Sequence, residues 1–206
     1  MIQNKENALI RWILHTYVKA LVKLRFHELV FDPVDIDPNK PILLIANHFS
    51  YWDSLILFVV NQRLFKRKFH VMAKEDTEAP LWFVKYGGVF TVKRGSRDML
   101  KSLDYAAGLL NDPQNMVLLF PQGKLHANFV ERVNFEKGVM RVVDAAGDKC
   151  QIIFAATFVQ YLQHKRPTAT IYLQTVPSGP LTFEQLEISY QKFFDDSKAK
   201  QTEIVL

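Results

Sequence analysis

A histidine and an aspartate stand close together after the first strongly apolar run of this 206-residue chain. The run, residues 42–46, has the composition of a buried strand, and His48 and Asp53 follow it directly. An imidazole accepts a proton at neutral pH, and a neighbouring carboxylate selects its tautomer and stabilises the imidazolium that forms. The pair is therefore suited to deprotonating a hydroxyl group. The alternative is a histidine in a turn before an aspartate that caps a helix, since both residue types are common in loops.

Apolar runs and helical periodicity alternate along the rest of the chain. Strands are predicted at residues 42–46, 69–73, 89–92, 116–120, 151–159 and 169–175. Helices are predicted at residues 52–62, 80–86, 97–110, 135–146 and 183–200. This alternation is typical of an α/β fold with a central, largely parallel sheet flanked by helices. The length suits a single domain over residues 1–206.

Polar residues follow two further predicted strands. Lys93 and Arg94 come after residues 89–92, and Gln122 comes after residues 116–120. Active sites of parallel sheets gather at the carboxyl ends of strands, so we expect these side chains to lie near the histidine. The alternative for the two cations is a pair of surface charges beside a turn. The glutamine bonds either a substrate hydroxyl group or a backbone group.

The composition narrows the class of partner. The net charge of +5 suits nucleic acid, an anionic membrane surface or an anionic substrate. No recognisable nucleic-acid-binding motif accompanies it, so we predict no nucleic-acid partner. The single cysteine, Cys150, excludes a disulfide within the chain and is interpreted as a packing residue. The six histidines lack the spacing of metal ligands, so we predict no metal site.

The N-terminal segment, residues 6–29, has the pattern of an amphipathic helix with a basic polar side. Such a helix lies in the headgroup layer of an anionic membrane or packs its apolar face on the rest of the domain, and the pattern allows both. A second basic cluster, residues 63–69, adds to the membrane interpretation. We expect no transmembrane helix, because no charge-free apolar stretch approaches ~18 residues. The predicted location is peripheral, at the cytoplasmic face of a membrane.

Three blocks of the chain resemble the glycerolipid (lysophospholipid) acyltransferases, which transfer an acyl chain from a thioester to a hydroxyl group. The family's first block, Asn-His-x4-Asp, stands here as Asn47, His48 and Asp53. Its second block, a glycine with aliphatic and aromatic residues before Arg-Gly, stands here as Gly88-Val89-Phe90-Thr91-Val92-Lys93-Arg94-Gly95. Its third block, Phe-Pro-Glu-Gly-Thr-Arg, stands here as Phe120-Pro121-Gln122-Gly123-Lys124-Leu125. The order and spacing agree over residues 42–157, and the helix at 135–146 with the strand after it fits the family's fourth region.

The resemblance implies an O-acyltransferase of the 1-acylglycerol-3-phosphate acyltransferase type. It makes His48 the general base and Asp53 its orienting partner, with backbone N–H groups around Gly123 as donors to the developing oxyanion. The substrate-binding residues that it implies are Asn47, Lys93, Arg94, Gln122, Gly123 and Lys124. The expected partners are acyl-CoA or acyl carrier protein as co-substrate, a lipid acceptor and an anionic membrane surface. No cofactor is expected.

The third block departs from the family at three positions. Gln122 replaces a glutamate, Lys124 a threonine and Leu125 an arginine, and the fourth region lacks its proline. In the family, basic residues of the second and third blocks are associated with the acceptor's phosphate, and a lysine does not reproduce the fork of an arginine. We therefore expect an acceptor other than lysophosphatidic acid, such as a hydroxyl group on another lipid, a glycolipid, a polyene pigment or an aminolipid. The alternative is a catalytically silent lipid-binding protein, although retention of His48 and Asp53 favours the enzyme.

Overall fold

The computed structural model describes residues 7–74, 86–92 and 96–204. The strands are β1 (Glu28–Phe31), β2 (Ile42–Ala46), β3 (Lys68–Lys74), β4 (Val89–Val92), β5 (Asn115–Leu119), β6 (Gln151–Gln160) and β7 (Thr168–Thr175). The helices are α1 (Ala8–Arg25), α2 (Trp52–Arg63), α3 (Ser96–Leu109), α4 (Gly138–Ala146) and α5 (Phe183–Thr202), with a short 3₁₀ turn at Gly147–Lys149.

The strands form one sheet in the order β1-β7-β6-β2-β5-β3-β4. The five strands from β6 to β4 run parallel, β7 runs antiparallel to β6, and β1 runs parallel to β7. The predicted α/β fold with a largely parallel sheet is therefore confirmed. Because β2 lies between β6 and β5, the residues that follow it stand in the middle of the carboxyl edge of the sheet.

Helices cover both faces of the sheet. All five residues of β2 are buried, which explains why this strand is apolar throughout. On one face, Val18 and Val22 of α1 belong to the same apolar cluster as Leu44 of β2 and much of α2. On the other face, α3, α4 and α5 pack against residues such as Leu43, and Tyr190 of α5 is fully buried there.

The N-terminal helix is shorter than predicted. It ends at Arg25 rather than at residue 29, and Glu28–Phe31 form β1 at an edge of the sheet. The backbone at Phe26 is extended, and its N–H closes the last helical turn by donating to the carbonyl group of Val22. β1 is then stabilised by pairing with β7, a long-range contact that the periodicity of the segment cannot reveal.

Most of the other predicted elements agree with the structure to within two residues at either end. The two exceptions are the helices predicted at residues 135–146 and 80–86. α4 begins at Gly138 rather than at residue 135, and the backbone N–H of Phe135 instead donates to the side chain of Glu187 on α5 at 2.8 Å. Of the helix predicted at residues 80–86, only Tyr86 lies within the described residues. Among the described helices, none is both long enough and apolar enough to cross a bilayer.

Candidate active site

The loops that follow β2 and β5 meet at the carboxyl edge of the sheet. β2 and β5 pair in register, with Ile45 opposite Leu119, so the residues beyond them are neighbours. The Gln122 Oε1 atom accepts a hydrogen bond from the backbone N–H of His48 at 2.7 Å. The backbone N–H of His126 donates to the carbonyl group of His48 at 3.0 Å. Both backbone polar groups of His48 are therefore held by residues of the third block or directly after it.

The imidazole of His48 is paired with the carboxylate of Asp53. The His48 Nδ1 atom lies 2.8 Å from the Asp53 Oδ2 atom. The aspartate side chain is 0% exposed, whereas the histidine side chain is 24% exposed. The pair thus combines a fully buried carboxylate with an imidazole that is partly accessible at the protein surface.

The hydrogen bonds of Asp53 determine the tautomer of His48. The Oδ2 atom of Asp53 also accepts the backbone N–H groups of Phe49 and Ser50, at 2.7 and 2.9 Å, and Oδ1 accepts the Ser50 hydroxyl at 3.0 Å. An oxygen that accepts several donors is that of an ionised carboxylate, which has no proton to give. His48 Nδ1 therefore carries the proton, and the neutral ring presents its lone pair at Nε2.

The position of Asp53 follows from the start of α2. The aspartate lies in the first turn of this helix, where the helix dipole favours a negative charge. Its carboxylate accepts N–H groups of the preceding loop and none of the helix, so Asp53 organises the loop but does not cap α2. The same carboxylate binds the imidazole of His48, and its role in catalysis stays a prediction.

Asn47 fastens the end of β2 to β6. Its Nδ2 atom donates to the carbonyl group of Thr157 at 3.1 Å, and its Oδ1 atom accepts the backbone N–H of Thr157 at 2.9 Å. The side-chain amide thus continues the ladder at the point where the main chain leaves the sheet. Asn47 is buried. The structure gives it a positioning role, and its contact with substrate stays a prediction.

Gly123 and Lys124 form the turn beside His48. Gly123 has a φ of +64°, and a Cβ atom there would lie 3.2 Å from the Cγ atom of Glu136. Its backbone N–H donates to the carbonyl group of Phe120 at 3.1 Å, so it is used within the turn. The side chain of Lys124 is exposed. The backbone N–H groups of Lys124 and Leu125 donate to no other group in the described part of the chain.

The two cations of the second block, Lys93 and Arg94, lie outside the described residues. Sequence reasoning named neither Ser50 nor Thr157 as a site residue, yet Ser50 bonds Asp53 and Thr157 bonds Asn47. Ser50, three residues before Asp53, carries a recognisable turn signal. Thr157 carries none, because its contribution is made by its backbone.

An apolar cleft lies beside the aspartate, on the face of the sheet that α1 and α2 cover. Ser54 and Leu55, directly after Asp53, line it together with apolar residues of α1, β3 and β4. His15 of α1 also lines it, and burial, with smaller contributions from Arg11 and Lys19, lowers the pKa of His15. A neutral imidazole keeps this cleft largely free of charge.

Within the described ranges, no group of three or more His, Cys, Asp or Glu side chains is arranged to hold a metal ion. Cys150 is buried, in agreement with its interpretation as a packing residue, and burial is the main cause that raises the pKa of its thiol to about 11. Such a thiol is protonated at neutral pH and is a poor nucleophile.

Fold and geometry together define an α/β protein with a hydrogen-bonded histidine–carboxylate pair at the centre of its sheet edge. The Acyltransferase family matches residues 25–158, well over half of the chain and including all three blocks, so the chain belongs to the acyltransferase family. The resemblance found in the three blocks is therefore confirmed.

The fold is also that of a solved family member. The chain is similar to the crystal structure of the 1-acyl-sn-glycerophosphate (LPA) acyltransferase PlsC from Thermotoga maritima, with a TM-score of 0.64 and 14% sequence identity. The match covers 94% of this chain and 80% of that chain, and at this identity it shows the shared fold. None of the curated proteins matches this sequence significantly.

Proposed function

We propose that this acyltransferase moves a fatty acyl group from an acyl thioester, carried by coenzyme A or acyl carrier protein, to a hydroxyl group of a lipid acceptor at a membrane surface. In this proposal His48 is the general base and Asp53 orients it. The observation that supports it best is the 2.8 Å contact between Nδ1 and Oδ2, which leaves Nε2 of His48 as the basic atom.

The reaction is a direct transfer. The Nε2 atom of His48 takes the proton of the acceptor hydroxyl group while that oxygen forms a bond to the thioester carbonyl carbon. The carbonyl electron pair moves to oxygen, and the tetrahedral intermediate then re-forms the carbonyl group and expels the thiolate. The imidazolium, stabilised by Asp53, returns its proton to the sulfur. The thioester is already activated, so no acyl-enzyme is required.

The donors proposed for the oxyanion are the backbone N–H groups of Lys124 and Leu125. They carry no hydrogen bond to the described residues, whereas the N–H of Gly123 is already used in its turn. The turn is held beside the base, because the backbone of His126 bonds that of His48. Preorganised donors of this kind typically account for ~10²–10³ in kcat each.

The proposed acceptor is a lipid other than lysophosphatidic acid. Leu125 stands where the family has an arginine, and its side chain is 56% exposed at the rim of the site. An apolar side chain there removes the bidentate partner of a phosphate. Lys124, Lys93 and Arg94 supply the remaining cations of the two blocks, and they suit a differently placed polar headgroup.

The membrane partner is proposed from the two apolar faces of α1. Leu14, Val18 and Val22 are buried against the domain, which confirms that the helix packs on the fold. A second set of large apolar side chains of α1 is exposed, comprising Leu9, Trp12, Ile13, Tyr17 and Leu24. An exposed apolar face with basic neighbours suits the headgroup layer of an anionic bilayer. We therefore propose a peripheral location at the cytoplasmic face of a membrane.

The catalytically silent alternative has less support, because Gln122 keeps the hydrogen-bond acceptor that holds His48 in place.

A transfer assay tests this function. Acyl-CoA and acyl carrier protein thioesters are supplied with lipid acceptors that do or do not carry a free phosphate, and ester formation is followed by mass spectrometry. We expect the wild type to form ester with an acceptor that lacks the phosphate, and His48→Ala to form almost none. Near-wild-type transfer by His48→Ala would disprove the role of the base, and a strict requirement for the phosphate would disprove the proposed acceptor class.

A further inference from the structure

A buried tyrosine of α5 bonds β6 beside the end of β2. The loop that begins there, residues 47–51, carries His48 and is called the catalytic loop below. Tyr190 of α5 is 0% exposed, and its hydroxyl group donates to the carbonyl group of Ala155 at 2.8 Å. Burial is the largest effect on this phenol and raises the pKa of Tyr190, with the charge of Asp53 acting in the same direction. The group is therefore a permanent donor.

The ring and the hydroxyl group of Tyr190 make different contacts. The ring packs among three other aromatic rings, those of Phe135, Phe154 and Phe193, with centroids 5.1, 5.1 and 5.9 Å away. A phenylalanine would make these apolar contacts equally well. What only a tyrosine adds is the hydrogen bond to the carbonyl group of Ala155.

Ala155 lies beside the point where the main chain leaves β2 and continues to His48. Ala155 pairs with Ala46, the last residue of β2, and the main chain leaves the sheet at Asn47. The amide of Asn47 is held by Thr157, two residues beyond Ala155 on the same strand. A single element, β6, thus anchors the start of the catalytic loop, and Tyr190 ties α5 to that anchor.

We propose that Tyr190 is a positioning residue for acyl transfer, which holds His48 in its productive place through Ala155 and Asn47. It makes α5 part of the catalytic scaffold, although this helix lies beyond the residues 25–158 that the family shares. The inference rests on the proposed role of His48 as the base. Because the tyrosine is fully buried and touches no substrate, it acts on kcat and not on KM.

The test compares two substitutions that each remove one phenol hydroxyl group from the contact between the sheet and α5. Tyr190→Phe removes the bond to Ala155, and Tyr172→Phe removes a bond of 3.2 Å to Gln201 of α5, away from the catalytic loop. We expect Tyr190→Phe to lower kcat on the order of tenfold, since small displacements of a catalytic group are costly. KM for donor and acceptor should not change, and Tyr172→Phe should keep the wild-type kcat.

A spectroscopic measurement separates positioning from stability. The Nδ1 proton of His48, bonded to Asp53, gives a downfield proton resonance that we expect to shift or broaden in Tyr190→Phe and to persist in Tyr172→Phe. Should Tyr190→Phe fail to fold, 4-fluorophenylalanine at position 190 fills the space of the hydroxyl group without donating and takes its place. Equal kcat values for the two variants, or an unchanged resonance, would overturn the inference. Activity of His48→Ala is the separate result that would overturn the proposed function itself.

Discussion

The ring of Phe120 lies face to face against the imidazole of His48, with ring centroids 4.0 Å apart and planes 14° from parallel. Phe120 directly follows β5, and its partly buried ring also packs against the apolar core. The imidazole is covered on one face by this ring and is held at Nδ1 by Asp53. Stacking of this kind contributes ~0.5–1.5 kcal/mol, enough to favour one orientation of a partly exposed side chain. The imidazole is therefore held in one orientation by the protein alone.

The first prediction concerns the catalytic pair. His48→Ala should lower acyl transfer by roughly 10²–10⁴, the usual contribution of a general base. Asp53→Asn should lower transfer as well and should also reduce the melting temperature, because a neutral amide oxygen accepts the N–H groups of Phe49 and Ser50 more weakly than a carboxylate does. Turnover and thermal unfolding measure the two effects.

The matched control for the catalytic pair is His164→Ala. His164 stacks on His27 on the side of the sheet that carries β1 and β7, so its loss leaves the central edge intact. We expect wild-type transfer from this variant. Equal loss of activity in His48→Ala and His164→Ala would show that histidine removal acts through stability and not through the base.

The second prediction concerns the hydrogen-bond acceptor at position 122. Gln122→Leu removes the acceptor of the His48 backbone N–H and leaves that donor buried without its partner, which costs ~1–3 kcal/mol. Gln122→Glu restores the family's residue and keeps an acceptor oxygen. We expect the leucine variant to lose both stability and kcat and the glutamate variant to retain both. Urea unfolding measures the stability of each variant, and initial rates give its kcat. High activity of Gln122→Leu would contradict the positioning role.

The third prediction concerns the exposed face of α1. Trp12→Ser combined with Leu24→Ser should weaken co-sedimentation with anionic vesicles, because these side chains are each 66% exposed and contribute little to the fold. The melting temperature should remain close to that of the wild type. Removal of the whole helix is a poorer test, since Val18 and Val22 belong to the core.

Ile188→Ser is the control for membrane binding. Ile188 is 67% exposed on α5, which packs on the opposite face of the sheet, so the substitution removes a comparable apolar group from the other side. We expect its vesicle binding to match the wild type. If the α1 double variant also binds like the wild type, α1 is not the membrane surface.

The fourth prediction concerns Cys150. With its pKa raised to about 11, mainly by burial, the thiol at pH 8 is ~10²-fold less ionised than a thiol of pKa 9.0. Alkylation by iodoacetamide should therefore be slow in the folded protein and fast in urea. Transfer activity should survive prolonged treatment under native conditions, as measured by mass spectrometry and turnover together. Rapid inactivation with labelling of Cys150 would contradict the direct transfer mechanism.

The sequence predicts the central strands well because strands such as β2 and β5 are buried on both faces. β2 is the clearest case, since five consecutive apolar residues leave no other interpretation. The end of α1 was predicted wrongly, because Glu28–Phe31 become a strand only through β7, far along the chain. Local periodicity carries no information about such a partner.

Some residues of the candidate site can be predicted from the sequence and others cannot. His48, Asp53 and Gln122 are recognisable from residue type and spacing, and the structure brings them together. Tyr190 is not recognisable, because its role depends on where α5 packs and on a carbonyl group that any residue could supply. Tyr190 also lies outside the three blocks, whereas Gln122, which likewise bonds a backbone group, stands within one of them.

The positions of α1 and α5 on opposite faces of the sheet also make the molecule directional. A bilayer bound through α1 leaves the far side of α5 in water. An environment-sensitive fluorophore at Tyr17 would then enter the headgroup layer, while one at Ile188 would remain hydrated, as both positions are exposed in the structure. Read together, the two reporters would give the tilt of the enzyme on its membrane, and hence the direction from which a water-borne acyl carrier can reach His48.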